Sequence, residues 1–129
     1  MLDTIIRTAV RTRFALTSRE RATGQARQQL DRYLALAETV DAARGARPVR
    51  VPRMPGIDED MRDWTFFQIL EHNAIVNGAI SGVVQSLAWG GRNHRHPVFG
   101  DFDAHRWHCM FGFHLLLHLR QAKYVVARV

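Results

Sequence analysis

Two histidines, His114 and His118, stand four residues apart in the run Trp107–Gln121, near the end of this 129-residue chain. If that run is helical, the spacing places both imidazoles on one face, one turn apart, where both reach a common point. A third histidine, His72, lies in an earlier segment that also reads as an apolar helix. Three imidazoles on one side of an ion leave positions for water or substrate, the arrangement of a reactive site rather than a closed structural one. Neutral imidazole suits Zn, Ni, Cu or Fe and does not select among them. A histidine on an apolar face is more often a hydrogen-bonded core residue, so His72 counts as a ligand only if its helix faces that of the other two. Buried ligands also need acceptors for their far nitrogens. Gln68 and Gln121 fall on the right faces, and Glu71 is close in sequence. The zinc-protease motif His-Glu-x-x-His lacks its glutamate, because Leu115 follows His114, and the mechanism built on that base is not supported. His94 and His96 sit on a basic loop with no matching acid or thiol and are read as non-ligands.

The elements that must position these residues are all helical by period. Leu2, Ile5, Ile6, Ala9, Val10 and Phe14 form one apolar face over residues 2–16, with Arg7 and Arg11 outside it. Thr17-Ser18-Arg19-Glu20 has the form of a capping box and opens a second helix, expected over 18–44, roughly 40 Å long at the usual rise. Gly45, followed by Pro48, is its expected stop. Residues 46–60 hold three of the four prolines and predict an extended connection, long enough to cover a site. The acids Asp58, Glu59, Asp60 and Asp63 then predict the start of a helix over 62–89, with Thr65, Gln68, Ile69, His72, Ile75, Val76, Ala79 and Val83 facing inward. Gly90-Gly91 ends it, a loop follows, and Asp101 or Asp103 caps a last helix over 102–126. No segment alternates like a strand. The expected fold is all-α: an up-down bundle of about four helices with a short N-terminal helix, in one domain spanning 1–129.

Composition narrows the function classes. A 47% apolar content excludes a generally disordered chain. The start is interrupted by charge too early for a signal peptide, and the longest uncharged run, Asn73 to Gly91, carries Asn, Ser, Gln and Gly and reads as a buried helix rather than a membrane span. The single cysteine, Cys109, excludes an intramolecular disulfide, fits a reducing cytoplasm and reads as a small buried hydrophobe. The net charge of +6 lies entirely in residues 1–53, whereas all seven histidines lie in the neutral remainder. The basic excess and the metal chemistry are therefore in different segments. No zinc-finger spacing or helix-turn-helix signature supports nucleic-acid binding by the basic part.

Trp64-Thr65-Phe66-Phe67-Gln68-Ile69-Leu70-Glu71-His72 resembles the second-helix signature of the DinB-like (YfiT-like) metal-binding helical bundles. His114-x-x-x-His118-Leu119-Arg120-Gln121 resembles their last-helix signature, and His96-Pro97-Val98-Phe99-Gly100 followed by Trp107 is similar to a largely uncharacterised branch. The resemblance covers about residues 60–124. It implies a bundle of about four helices, often dimeric, with a divalent metal ion (Zn, Ni or Fe) on His72, His114 and His118. It also implies relatives that are thiol-dependent transferases or isomerases using low-molecular-weight thiols, or hydrolases. The chain departs from the pattern in having no room for a third bundle helix between 89 and 102, and in carrying Leu117 where that branch often has another histidine. Two readings follow: a metal-dependent thiol transferase or hydrolase, or a non-catalytic dimeric binding and assembly module with a structural metal or none.

Overall fold

The computed structural model describes residues 1–90 and 92–129. Helix α5, Ala104–Val126, is its central element. Asp103 caps it, its carboxylate accepting from the backbone N–H of Arg106. The helix then buries residues around most of its circumference, among them Trp107, Met110, Leu115, His118, Leu119, Gln121 and Val125. A helix apolar nearly all round must be covered from several sides. Helices α2 (Arg19–Ala37) and α4 (Phe66–Gly90) supply two of those sides, each packing along α5 while barely meeting each other. The approach of α2 is close. A Cβ on Gly112 would stand 3.1 Å from the backbone nitrogen of Ala26, so a larger residue there would push the two helices apart by a few tenths of an ångström.

Helix α1 (Leu2–Ala15) packs on α5 from a further side, and its orientation corrects the expected one. Of the predicted apolar face only Val10 and Phe14 are buried; Leu2, Ile5 and Ile6 are 70%, 60% and 47% exposed. The reason is a competing set of contacts. The Arg11 guanidinium, expected to face away, donates to the carbonyls of Phe99 and Asp101 and lies over the Phe102 ring. Phe14 packs on Phe102 and Phe113. These partners turn the Val10–Phe14 side inward and the other apolar residues out.

The predicted helix over 18–44 divides. Ser18, not Thr17, is its cap, its hydroxyl accepting from Arg21 N–H while Thr17 donates to the Arg13 carbonyl. Helix α2 ends at Ala37, and after a turn Asp41 caps the single turn α3, Ala42–Gly45. Gly45 is not a left-handed stop. A Cβ there would lie 2.3 Å from the end of the exposed Phe67 ring, which would have to swing aside.

The connection over 46–65 is extended apart from a 3-10 turn at Glu59–Met61. Here two of the four acids expected at a helix start form ion pairs instead, Glu59 with Arg50 and Arg62, and Asp63 with Arg50. Arg62 also ties the segment to itself, its Nε donating to the Val51 carbonyl and its own carbonyl accepting from Val51 N–H. Helix α4 consequently starts later, at Phe66, behind a reciprocal capping box: Gln68 N–H donates to Thr65 Oγ1, and Thr65 N–H to Gln68 Oε1. Its buried residues are Phe66, Ile69, Asn73, Ile80 and Leu87; of the predicted stripe Ile69 is buried and Val76 and Val83 pack partly buried on the core, whereas Gln68, Ile75 and Ala79 are exposed. A helix uncharged for most of its length gives periodicity little to discriminate faces with. Gly91, expected to help end this helix, lies outside the described residues.

Two short strands correct the expected loop. β1 (His94–His96) pairs antiparallel with β2 (Gly100–Phe102), His94 opposite Phe102 and His96 opposite Gly100. Among the described residues no helix is long and apolar enough to cross a membrane.

Asn73 is anomalous. It is buried, its oxygen has no hydrogen-bond partner, and its amide lies beside the Tyr33 hydroxyl without forming a well-made bond. An unpaired buried polar group costs about 1–3 kcal/mol, whereas an apolar group of the same shape does not. Asn73→Leu is therefore expected to raise the unfolding free energy by about that amount in urea titration. A loss of the same size would mean that the amide is paired in solution.

Candidate metal centre

The connection, α4 and α5 bring His72, His114 and His118 together. One ligand nitrogen from each lies within 4.8 Å of the other two. The Nε2 atoms of His72 and His114 are 3.1 Å apart. Two imidazole lone pairs do not share that distance unless a proton or a cation lies between them. With metal–nitrogen bonds of 2.0–2.1 Å, two ligands stand about 3.0 Å apart at a right angle and about 3.4 Å apart at a tetrahedral one. The observed spacing suits either.

The third ring has its tautomer settled by a chain of hydrogen bonds. Gln121, fully buried, donates its amide N–H to the carbonyl of Met61 at 2.6 Å. Its oxygen must then be the acceptor facing His118 Nδ1, 3.0 Å away. His118 therefore carries its proton on Nδ1 and presents a lone pair at Nε2. This is the support expected of a ligating histidine. Gln121→Leu should break it and weaken divalent-metal affinity by about 10–100-fold, readable by competition with a chromogenic chelator. Unchanged affinity would show that the tautomer is held by something else.

Gln68, the other candidate acceptor, does not serve: it is exposed and engaged with Thr65. Glu71 is exposed as well. Two contributors escaped the sequence reading. Trp64 packs over the triad, with its ring centroid 4.9 Å from that of His72 and stacked at 6.3 Å on His118. The Met61 carbonyl anchors Gln121. Trp64 belongs to the quoted signature but has no polar chemistry to mark it, and no side-chain pattern reports a backbone carbonyl.

The triad is electrostatically poor in protons. Burial, followed by the neighbouring His118 and His72, lowers His114 to about 3. Burial also lowers His118 and His72. The Nδ1 of His114 is buried without a partner. Neutral ligands are what a cation needs, and three of them leave its full charge available to a bound water or thiol.

The remaining histidines have structural posts. His96 Nδ1 accepts from the backbone N–H groups of Val98 and Phe99 and holds the hairpin turn, while Trp107 Nε1 donates to the His94 carbonyl. Thr23 gives its hydroxyl proton to the Arg19 carbonyl, so His108 Nε2 donates to its oxygen. His105 Nε2 donates to the Phe14 carbonyl. Cys109 is buried, and burial pushes its thiol up, away from reactivity.

Compared with protein-family models, with curated proteins and with solved structures, the chain finds no match.

Proposed function

We propose that this chain is a metal-binding helical-bundle protein of the DinB-like kind, holding one divalent ion, Zn, Ni or Fe, on His72, His114 and His118. The observation that carries the reading is the convergence of three ring nitrogens within 4.8 Å from two helices 42 residues apart in sequence. The oriented lone pair of His118 and the 3.1 Å pair of His72 and His114 support it. The order of the elements is in keeping with the resemblance: one histidine near the start of α4, two on the last helix, and an HPxFG segment before it. A three-imidazole ion keeps open positions and lowers the pKa of a bound water or thiol toward neutrality, which is the chemistry of a thiol transferase or hydrolase. The chain's own part is to hold the ligands deprotonated, to fix the tautomer of His118 through Gln121, and to screen one side of the site with Trp64. A single domain and a cytoplasmic setting complete the reading.

The test is thermal unfolding of chelator-treated protein with and without added Zn or Ni. A bound ion should raise the melting temperature with concentration by mass action, and His118→Ala should abolish the rise. Equal melting temperatures throughout would defeat the proposal. The alternative of a non-catalytic dimeric module is favoured by a separate observation, the apolar surface left open on α1, α2 and α4.

A further inference from the structure

We propose that the groove between α2 and α4 receives the N-terminal half of α1 from a second copy of this chain. The inference does not depend on the metal. Because α2 and α4 flank α5 without closing on each other, a groove of about 320 Å³ runs between them. Leu30, Leu34, Leu70 and Ala74 form its walls, and Tyr33, Asn73 and Leu115 line it as well. No charged side chain lines it. Leu30 and Leu34 are 48% and 63% exposed, an apolar surface of the kind that marks an interaction site.

The same molecule carries the complementary shape. Leu2, Ile5, Ile6 and Ala9 form an exposed ridge on α1, directed away from the seat of Val10 and Phe14. The ridge spans seven residue steps, about 10 Å of helix. The groove walls, Leu30 to Ala37 and Leu70 to Asn77, each span the same seven steps. Charge agrees with shape. The exposed side of α1 bears Arg7 and Arg13 against Asp3, while the exposed residues of α2 and α4 near the groove include Asp31, Glu38 and Glu71 against Arg27 and Arg32.

A ridge cannot fill the groove of its own chain. Helix α1 is seated on Phe113, and Leu115 lines the groove; two residues apart, they point about 200° apart around α5. The occupant is therefore another copy. Two-fold exchange of the ridges covers both open surfaces of both chains and doubles the buried area, which a stable dimer needs.

The experiment is sedimentation velocity on the full chain at micromolar concentration, with three samples. Wild type is expected at the mass of two 14.8 kDa chains. Ile5→Asp/Ile6→Asp and Leu34→Asp change only exposed positions, so each should keep its helical circular dichroism and sediment as a monomer. An equimolar mixture of the two variants should regain dimer, because one brings an intact ridge and the other an intact groove. A monomeric wild type overturns the proposal, as does a dimer that survives either variant, or a mixture that stays monomeric. A wild-type monomer that binds phosphatidylglycerol vesicles through Ile5 and Ile6 would put a lipid surface in place of the second copy.

Discussion

Wild-type protein is expected to leave purification with about one divalent ion per chain, and His114→Ala to leave without it. The expectation rests on the Nε2 atom of His114, which lies 3.1 Å from that of His72 within the three-nitrogen cluster. Loss of a supporting residue costs about 10–100-fold in affinity, so loss of a ligand should cost more than about 100-fold, enough to empty the site during chromatography. His114→Ala also removes a partner from a half-closed core position, so its folding must be confirmed by circular dichroism. His114→Asp gives a second measure: it returns a ligand atom on a shorter side chain and should recover part of the affinity. Elemental analysis decides. Wild type without metal, or His114→Ala with it, would remove the ion from the account of this protein.

The second large effect is an acid limb in the stability of the metal-free protein. His114, His118 and His72 are held below their usual value by burial, and His114 furthest, at about 3. In the unfolded chain the same rings take up protons near 6.5. Between those values the unfolded state binds more protons than the folded one, so stability is complete above about pH 6.5 and falls as the pH drops. For a histidine as far shifted as His114 the slope is about 1.4 kcal/mol per pH unit. Carboxylates do not confuse the upper part of this window. Glu59, lowered by Arg62 from its usual 4.5, stays ionised there, and its contribution disappears only in stronger acid. Urea titrations in chelator from pH 7 to 5 measure the limb. His114→Leu should flatten it by one proton. A profile that is level over that range, or unchanged in the leucine variant, would show that these rings are not buried as neutral bases.

Much of the site was readable because its signal is local. His114 and His118 share a face through a spacing that any helix enforces, and Gln121 follows His118 by three residues on the same side. The last helix was readable for the same reason, with its cap narrowed to Asp101 or Asp103, of which Asp103 serves. Where reading failed, a helix began at another residue or the deciding contact came from outside the element. Gln68 has the place of an acceptor for a histidine in a helix that begins at 62, but α4 begins at Phe66 and Gln68 is taken up in capping it with Thr65. Glu59 and Asp63 have the look of a helix start because their partner, Arg50, lies in a separate stretch of extended chain. The apolar stripe of α1 is real, but the carbonyls that capture Arg11 are some ninety residues away.

The sequence alone therefore determined the helical character of the chain, the adjacency of His114 and His118, and the segregation of charge from histidine. Those properties depend on repeat spacing and composition, which a linear reading contains. Only the tertiary structure decided that His72 meets the other two, that Trp64 and the Met61 carbonyl complete their surroundings, and which sides of α1, α2 and α4 stay open. Those properties depend on how helices of nearly uniform polarity rotate against one another. Long-range packing and a few captured polar groups set that rotation, and periodicity does not.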